Sequence, residues 1–282
     1  MNSLALPSGA LMPTLGLGTW RMGESRASRA TEIAALRSAI EIGYRLIDSA
    51  EMYGEGGAEE VVGQAVAEAL RAGDLRREEL FVVSKVYPHN ASRKGTAAAC
   101  ERSRKRLGLD CIDLYLLHWR GEHPLEATVA AMHALIDAGC IAHWGVSNFD
   151  VADMNELMTV AADGAVNQVY LSLGERGAEF SLLPWLRRHG MPLMAYSPID
   201  QGALARHRAL AAIGAAQSLT AAQLALAWVL SRPGVVAIPK AVELEHLRHN
   251  LAVADRVLSA ETLRQIDALF PPPQRKAALA MT

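Results

Sequence analysis

The chain has 282 residues, enough for one large or two ordinary domains and for a core that needs neither disulfides nor a structural metal. It carries 28 basic against 30 acidic residues, a net charge of −2, which excludes the polyelectrolyte footprint expected of a nucleic-acid or anionic-membrane binder. With 51% apolar and 21% charged residues it is too apolar for a disordered chain, and its three cysteines, Cys100, Cys111 and Cys140, have neither zinc-ligand nor disulfide-framework spacing.

The first predicted element is a hairpin over LALPSGALMP (4 to 13), turning at Pro-Ser-Gly. Eight short apolar runs follow in chain order: LGLGT (15 to 19), RLID (45 to 48), LFVVSK (80 to 85), DLYLLH (113 to 118), HWGVSN (143 to 148), AVNQVY (165 to 170), PLMAYS (192 to 197) and VVAIPK (235 to 240). Between them lie segments of helical spacing such as 30 to 43, 58 to 73 and 125 to 139, with glycine stops at Gly43, Gly73, Gly108, Gly139 and Gly190. The run TAAQLALAWVL (220 to 230) is too short for a membrane span and reads as a core helix. A last helix is predicted over 259 to 270, with Ser259 and Thr262 as candidate N-caps, and 271 to 282 is expected to be a flexible tail.

Eight strand–helix alternations match an α/β fold, a (β/α)8 TIM barrel with an N-terminal β-hairpin and an extra C-terminal helix, in one domain spanning 1 to 282. An open doubly wound sheet alternates in the same way, so the polar residues decide between the two. Asp48, Lys85, His118, Asn148, Gln168, Ser197 and Lys240 fall at or just past the ends of seven different runs. In a barrel these ends converge on one mouth. The first positive charge is Arg21 and no uncharged apolar run reaches the ~18 residues of a membrane span, so the expectation is a cytoplasmic protein, monomer or weak homo-oligomer, acting on a small molecule.

No GxxxxGK[ST] loop is present, and Gly16-Leu-Gly18-Thr-Trp-Arg fails GxGxxG at its sixth position, which excludes a Rossmann dehydrogenase. A dinucleotide would have to be held by the barrel mouth. Asp48, Tyr53, Lys85 and His118 sit on three strands or the loops directly after them. A phenol is a weak acid near neutrality, and a nearby ammonium such as Lys85 is expected to stabilise its phenolate. That ammonium needs a carboxylate, which Asp48 supplies, while a neutral His118 donates a hydrogen bond to a substrate oxygen. Singly each is an ordinary strand-end residue; together they polarise and protonate a carbonyl.

The segment Gly43-Tyr-Arg-Leu-Ile-Asp48-Ser-Ala-Glu-Met-Tyr53-Gly54, followed in order by Ser84-Lys85, Leu116-Leu-His118-Trp119, Gly145-Val-Ser-Asn-Phe149, Asn167-Gln168, Ala195-Tyr-Ser-Pro198 and Ile238-Pro-Lys240, resembles the aldo-keto reductases over about residues 5 to 270. The resemblance implies an NAD(P)H-dependent carbonyl reductase with Tyr53 as proton donor, tuned by Lys85 and Asp48, and His118 orienting the carbonyl. It implies that Thr19 and Trp20 line the cofactor and substrate space. Ser147, Asn148 and Gln168 would bind the nicotinamide carboxamide and Tyr196 would stack on the ring. Ser197, Pro198, Ile199 and Gln201 would approach the pyrophosphate, with Ile238, Lys240, His246 and Asn250 further along the cofactor. Tyr87 and Trp119 would shape the substrate pocket, shallow and suited to small aldehydes.

The chain departs from the family pattern after its eighth run. Where relatives often carry IPKS and then an arginine, it has Lys240-Ala241 and His246, so a hydroxyl and a guanidinium for the 2′-phosphate of NADPH are missing. NADPH is still expected over NADH, by a narrower margin. His246 and His249 lie three apart, but without a third ligand no metal is expected. The stretch Leu182-Leu-Pro-Trp-Leu186 resembles the bacterial methylglyoxal and keto-sugar reductases. Two other readings remain open: a nicotinamide-nucleotide-binding regulatory subunit with little turnover, and a barrel hydrolase using Asp48 and His118.

Overall fold

A computed structural model describes residues 2–281. Strands β1 (Ser3–Ala5) and β2 (Leu11–Pro13) form the antiparallel hairpin, with Leu4 opposite Met12. Eight parallel strands then follow in unbroken sequence order: β3 (Leu17–Gly18), β4 (Leu46–Asp48), β5 (Phe81–Val86), β6 (Ile112–Leu117), β7 (Ile141–Ser147), β8 (Asn167–Tyr170), β9 (Leu193–Tyr196) and β10 (Val235–Ala237). A parallel bridge from Leu15 to Ala237 and the Gly18 amide donating to the Pro239 carbonyl at 3.1 Å close the sheet into a barrel. Gly18 is required there, since an added Cβ would lie 2.7 Å from the Ile238 carbonyl oxygen. All eight sequence runs fall on these strands, and continuous apolar runs are what a sheet covered by helices demands.

The helices are α1 (Arg29–Glu41), α2 (Gly57–Ala72), α3 (Arg93–Leu107), α4 (Leu125–Asp137), α5 (Val151–Val160), α6 (Leu182–Arg188), α7 (Arg208–Ala215), α8 (Ala221–Leu230), α9 (Leu244–Leu251) and α10 (Ala260–Leu269). Gly73 and Gly108 end α2 and α3 in the left-handed conformation that the missing Cβ permits. Helix α8 is buried almost throughout, as its composition requires. Ser259 caps α10, its hydroxyl accepting from the Thr262 amide at 3.1 Å; Thr262 is therefore not a cap but a buried first-turn residue, because the turn needs one acceptor outside it.

Two apolar layers result. Leu46, Val83, Leu114, Leu116, Val166, Met194 and Val236 fill the barrel together with Leu6 and Met12 of the hairpin, which seals the end away from the mouth. A larger layer lies between strands and helices. Among the described residues no helix is long and apolar enough to cross a membrane. Residues 271–281 form no helix or strand, yet Leu279 packs on the outer core and Lys276 pairs with Asp150 at 3.2 Å, bringing Met281 to the mouth.

Candidate active site

The mouth opens on a cavity of about 750 Å³, within the ~300–1,000 Å³ range of sites that enclose small ligands and cofactors. Its floor is Asp48 at the end of β4, Tyr53 on the turn that follows, and His118 just past β6, with Lys85 of β5 beneath them. Lys85 is fully buried and its ammonium has three partners: Asp48 Oδ2 at 2.8 Å, the Ser49 carbonyl at 2.8 Å and Tyr53 Oη at 3.1 Å. Three protons meet three acceptors. The phenol oxygen thus accepts from Lys85, and its own O–H is free to point elsewhere. The other oxygen of Asp48 accepts from Gln168 Nε2 at 2.8 Å, which fixes the carboxylate.

Burial holds the Tyr53 phenol well above its usual range and the Asp48 charge adds to this. The sequence-based expectation that Lys85 would favour the phenolate is therefore not met. The ammonium's charge is shared with a carboxylate even closer to it, and desolvation of the phenolate outweighs what remains. Burial also lowers Lys85, against the opposing pull of Asp48. His118 lies well below the usual imidazole range, through burial first and the Lys85 charge second, so its ring is neutral. Its Nδ1 is buried without a partner, which a neutral ring tolerates when Nδ1 carries the lone pair and the proton sits on Nε2, toward the cavity. The His118 and Tyr53 rings meet edge-on, centroids 5.7 Å apart.

Beyond the floor the cavity runs past Ser147, Asn148 and Gln168 to Tyr196. Tyr196 stacks on Tyr170 at 5.5 Å and 20°, its hydroxyl bonded to Asn148 Oδ1 at 3.0 Å. With Tyr170 behind it, its other face is turned to the cavity. The segment after β9 forms the next wall, held by Asp200, which accepts from Tyr170 Oη at 2.8 Å and from Ser172 Oγ. The far end is the exposed Lys240 and the face of α9 with His246, His249 and Asn250.

Every site residue expected from the sequence lines this one cavity except Lys85, Thr19 and Tyr87. Thr19 is a correction: it is buried, and its hydroxyl and amide both donate to the Asp48 carbonyl, at 2.9 and 3.0 Å, so it holds the backbone of Asp48 from behind. Tyr87 is another: it stands edge-on to Trp119 at 5.5 Å and backs that wall instead of forming it, its amide bonded to Glu51 Oε1 at 2.8 Å. Unforeseen wall residues include Arg21, Met52, Arg206, Glu245 and Met281. Glu245 was visible in principle, four residues before His249 on one helix face; Met281 had no local signal. The wall is also higher than short loops alone predict, because the segment after β9 and Met281 rise around it.

The aldo/keto reductase family profile matches residues 14–270. The chain is 48% identical to the methylglyoxal reductase YeaE of Escherichia coli, covering 96% of this chain and 95% of that protein, and 36% identical to a glyoxal reductase of Bacillus subtilis, covering 95% and 92%. The crystal structure of an aldo-keto reductase from Klebsiella pneumoniae in complex with NADPH superimposes with a TM-score of 0.93 at 47% identity, covering all of both chains. Ordered motifs, barrel, buried tetrad and full-length similarity agree: this chain belongs to the aldo/keto reductase family.

Proposed function

We propose that this protein reduces small aldehydes, ketones and 1,2-dicarbonyls of the methylglyoxal type to alcohols, with NADPH as reductant. The observation that carries the reading is a Tyr53–Lys85–Asp48 chain with a neutral His118 at the floor of one long cavity. The residues present fit a nicotinamide dinucleotide. Ser147, Asn148 and Gln168 offer a carboxamide acceptor oxygens, because their own donors are taken: Gln168 Nε2 by Asp48 and Met194 Sδ, the Ser147 hydroxyl by the Gln168 carbonyl, and Asn148 Nδ2 by the His118 carbonyl and Ser147 Oγ. Tyr196 offers a ring face, and Lys240 and His246 stand at the end suited to a 2′-phosphate. When bound, the reduced nicotinamide supplies the hydride.

The chain's own residues do the rest. His118 donates from Nε2 to the substrate oxygen, which polarises and orients the carbonyl. Tyr53 stays protonated at neutral pH, a stored acid. As the carbonyl oxygen gains alkoxide character it becomes a far stronger base than a phenolate, and the proton leaves Tyr53 Oη for it. The phenolate then left behind accepts from Lys85, whose ammonium Asp48 keeps in place. Trp20, Met52, Trp119 and Met281 give the reacting carbonyl apolar walls that exclude water. A regulatory subunit would have no need of this complete constellation.

The test follows NADPH consumption with methylglyoxal and with simple aldehydes, for wild type and Tyr53→Phe. The variant should lose at least about a hundredfold in kcat while binding NADPH as before. If it keeps more than about a tenth of wild-type turnover, a loss under ~1.4 kcal/mol, Tyr53 is not the donor.

A further inference from the structure

Tyr53 stands at the head of a turn that does not hold itself: Gly54, Glu55 and Gly56 take successive left-handed φ values of 57°, 53° and 94°. Such a run, with a non-glycine inside it, persists only where surrounding contacts over-determine it. Immediately downstream, in the first turn of α2, is Glu59, a fully buried carboxylate that no step above uses. Its Oε1 accepts from Ser84 Oγ at 2.5 Å, and its Oε2 pairs with Arg106 Nη1 at 2.7 Å. Ser84 is the strand neighbour of Lys85, and Arg106 belongs to the next helix, α3.

The packing around this carboxylate is tight. An added Cβ at Gly56 would lie 2.5 Å from Arg106 Cζ, so the guanidinium lies directly against the end of the Tyr53 turn. At Gly63 it would lie 2.3 Å from the Arg106 carbonyl oxygen, which marks the close approach of α2 to α3. One carboxylate therefore links the element carrying Tyr53, the strand carrying Lys85 and the helix behind both.

We propose that Glu59 is a positioning residue for the proton donor, its bonds to Ser84 and Arg106 setting the 3.1 Å contact between Tyr53 and Lys85. This rests on the reductase reading above. The charge has a second consequence. Burial lowers Lys85, Asp48 opposes this most strongly, and Glu59 opposes it too. The titratable or charged groups facing Glu59 are Arg106 from α3, Lys85 from β5 and Tyr115 from β6. Those facing Lys85 are Asp48 from β4, Tyr53 from its turn, His118 beyond β6 and Glu59 itself. Without Glu59's charge, the Tyr53–Lys85 pair gives up its first proton at lower pH.

The experiment compares wild type, Glu59→Gln, Glu59→Asp and Ser84→Ala for kcat across pH, NADPH affinity by nucleotide fluorescence, and folded fraction by circular dichroism. Glu59→Gln should lower kcat about tenfold or more, because a small misplacement of a donor is costly, with NADPH affinity within about twofold. Its alkaline limb should move down by about half a pH unit, the direction a lost neighbouring negative charge dictates. Glu59→Asp, which keeps the charge on a shorter stem, should return the limb to its wild-type place while kcat stays low. Ser84→Ala should lower kcat about threefold, the loss of one hydrogen bond, without moving the limb. An unchanged kcat and limb in Glu59→Gln overturns the proposal, as does a loss equal at every pH and matched by unfolded protein. If Glu59→Gln does not fold, wild-type kcat in Ser84→Ala overturns it. Activity lost in Tyr53→Phe but kept in Glu59→Gln overturns this proposal alone; a wild type without turnover overturns the functional reading and this one with it.

Discussion

The two ends of the cavity are built differently. At the floor, Lys85 and Asp48 are 0% and 2% exposed and their charged atoms are committed to named partners. At the far end, Lys240 and His246 are exposed and neither has an ion-pair partner among the described residues, while Glu245 beside them opposes any anion. Proton delivery requires a geometry held to fractions of an ångström, and burial secures it at the cost of desolvation. Recognition of a phosphate needs only charge within reach, which long exposed side chains supply cheaply and adjustably. On the reductase reading proposed above, chemistry is rigid at one end and cofactor choice is tunable at the other.

The sharpest way to break this contrast is to substitute one lysine at each end. Lys85→Met should cost about a thousandfold in kcat and about 3 kcal/mol of folding stability, because a buried carboxylate loses its cation. Lys240→Met should leave stability unchanged, since an exposed cation without a partner contributes little to the fold. Kinetics with denaturant unfolding of both variants decides the matter. Equal stability losses would mean that the floor is not specially preorganised.

A second measurement concerns protons. Because burial and the Lys85 charge hold His118 well below the usual imidazole range, it is neutral at and somewhat below pH 6.5 and stays a donor at Nε2. The expected kcat/KM profile for reduction is flat as pH falls through ~6.5, with its acid limb only well below that value. Stability falls as pH drops through that window while activity holds, since His118 in the unfolded chain takes up a proton there and in the native state does not. An acid limb at 6.5 that His118→Gln abolishes would show the histidine to be an ordinary, solvated one.

The smallest expected effect lies at the far end. His246→Arg should raise the ratio of kcat/KM for NADPH over NADH by about tenfold, the worth of one charge-assisted hydrogen bond from a forked, always-charged donor. No gain would place the 2′-phosphate away from α9.

Much of this was legible in the chain before any fold was known. Asp48 and Lys85 stand on strands set by local apolar runs, with Tyr53 and His118 just beyond such strands, and in a barrel the ends of those runs must converge. Thr19 and Tyr87 were misplaced because their nearness to the site in sequence says nothing of which way a side chain points. Thr19 turns back to the Asp48 carbonyl, and Tyr87 is drawn behind Trp119 while its amide bonds to Glu51. Glu59 passed unnoticed because an acidic residue in a first helical turn is ordinary. Only the approach of β5 and α3 shows that it is buried and doubly bonded.

By itself, then, the sequence determined the order and kind of the elements, the candidate reacting groups and the departure at Ala241 and His246. Each of these is written in short-range periodicity, turn residues and side-chain chemistry. Only the tertiary structure decided the direction of the Tyr53 shift, the support given by Glu59 and the place of Met281 at the mouth. Desolvation, the pairing of buried charges and the meeting of residues far apart in the chain are properties of the packed interior. No local stretch of sequence encodes them.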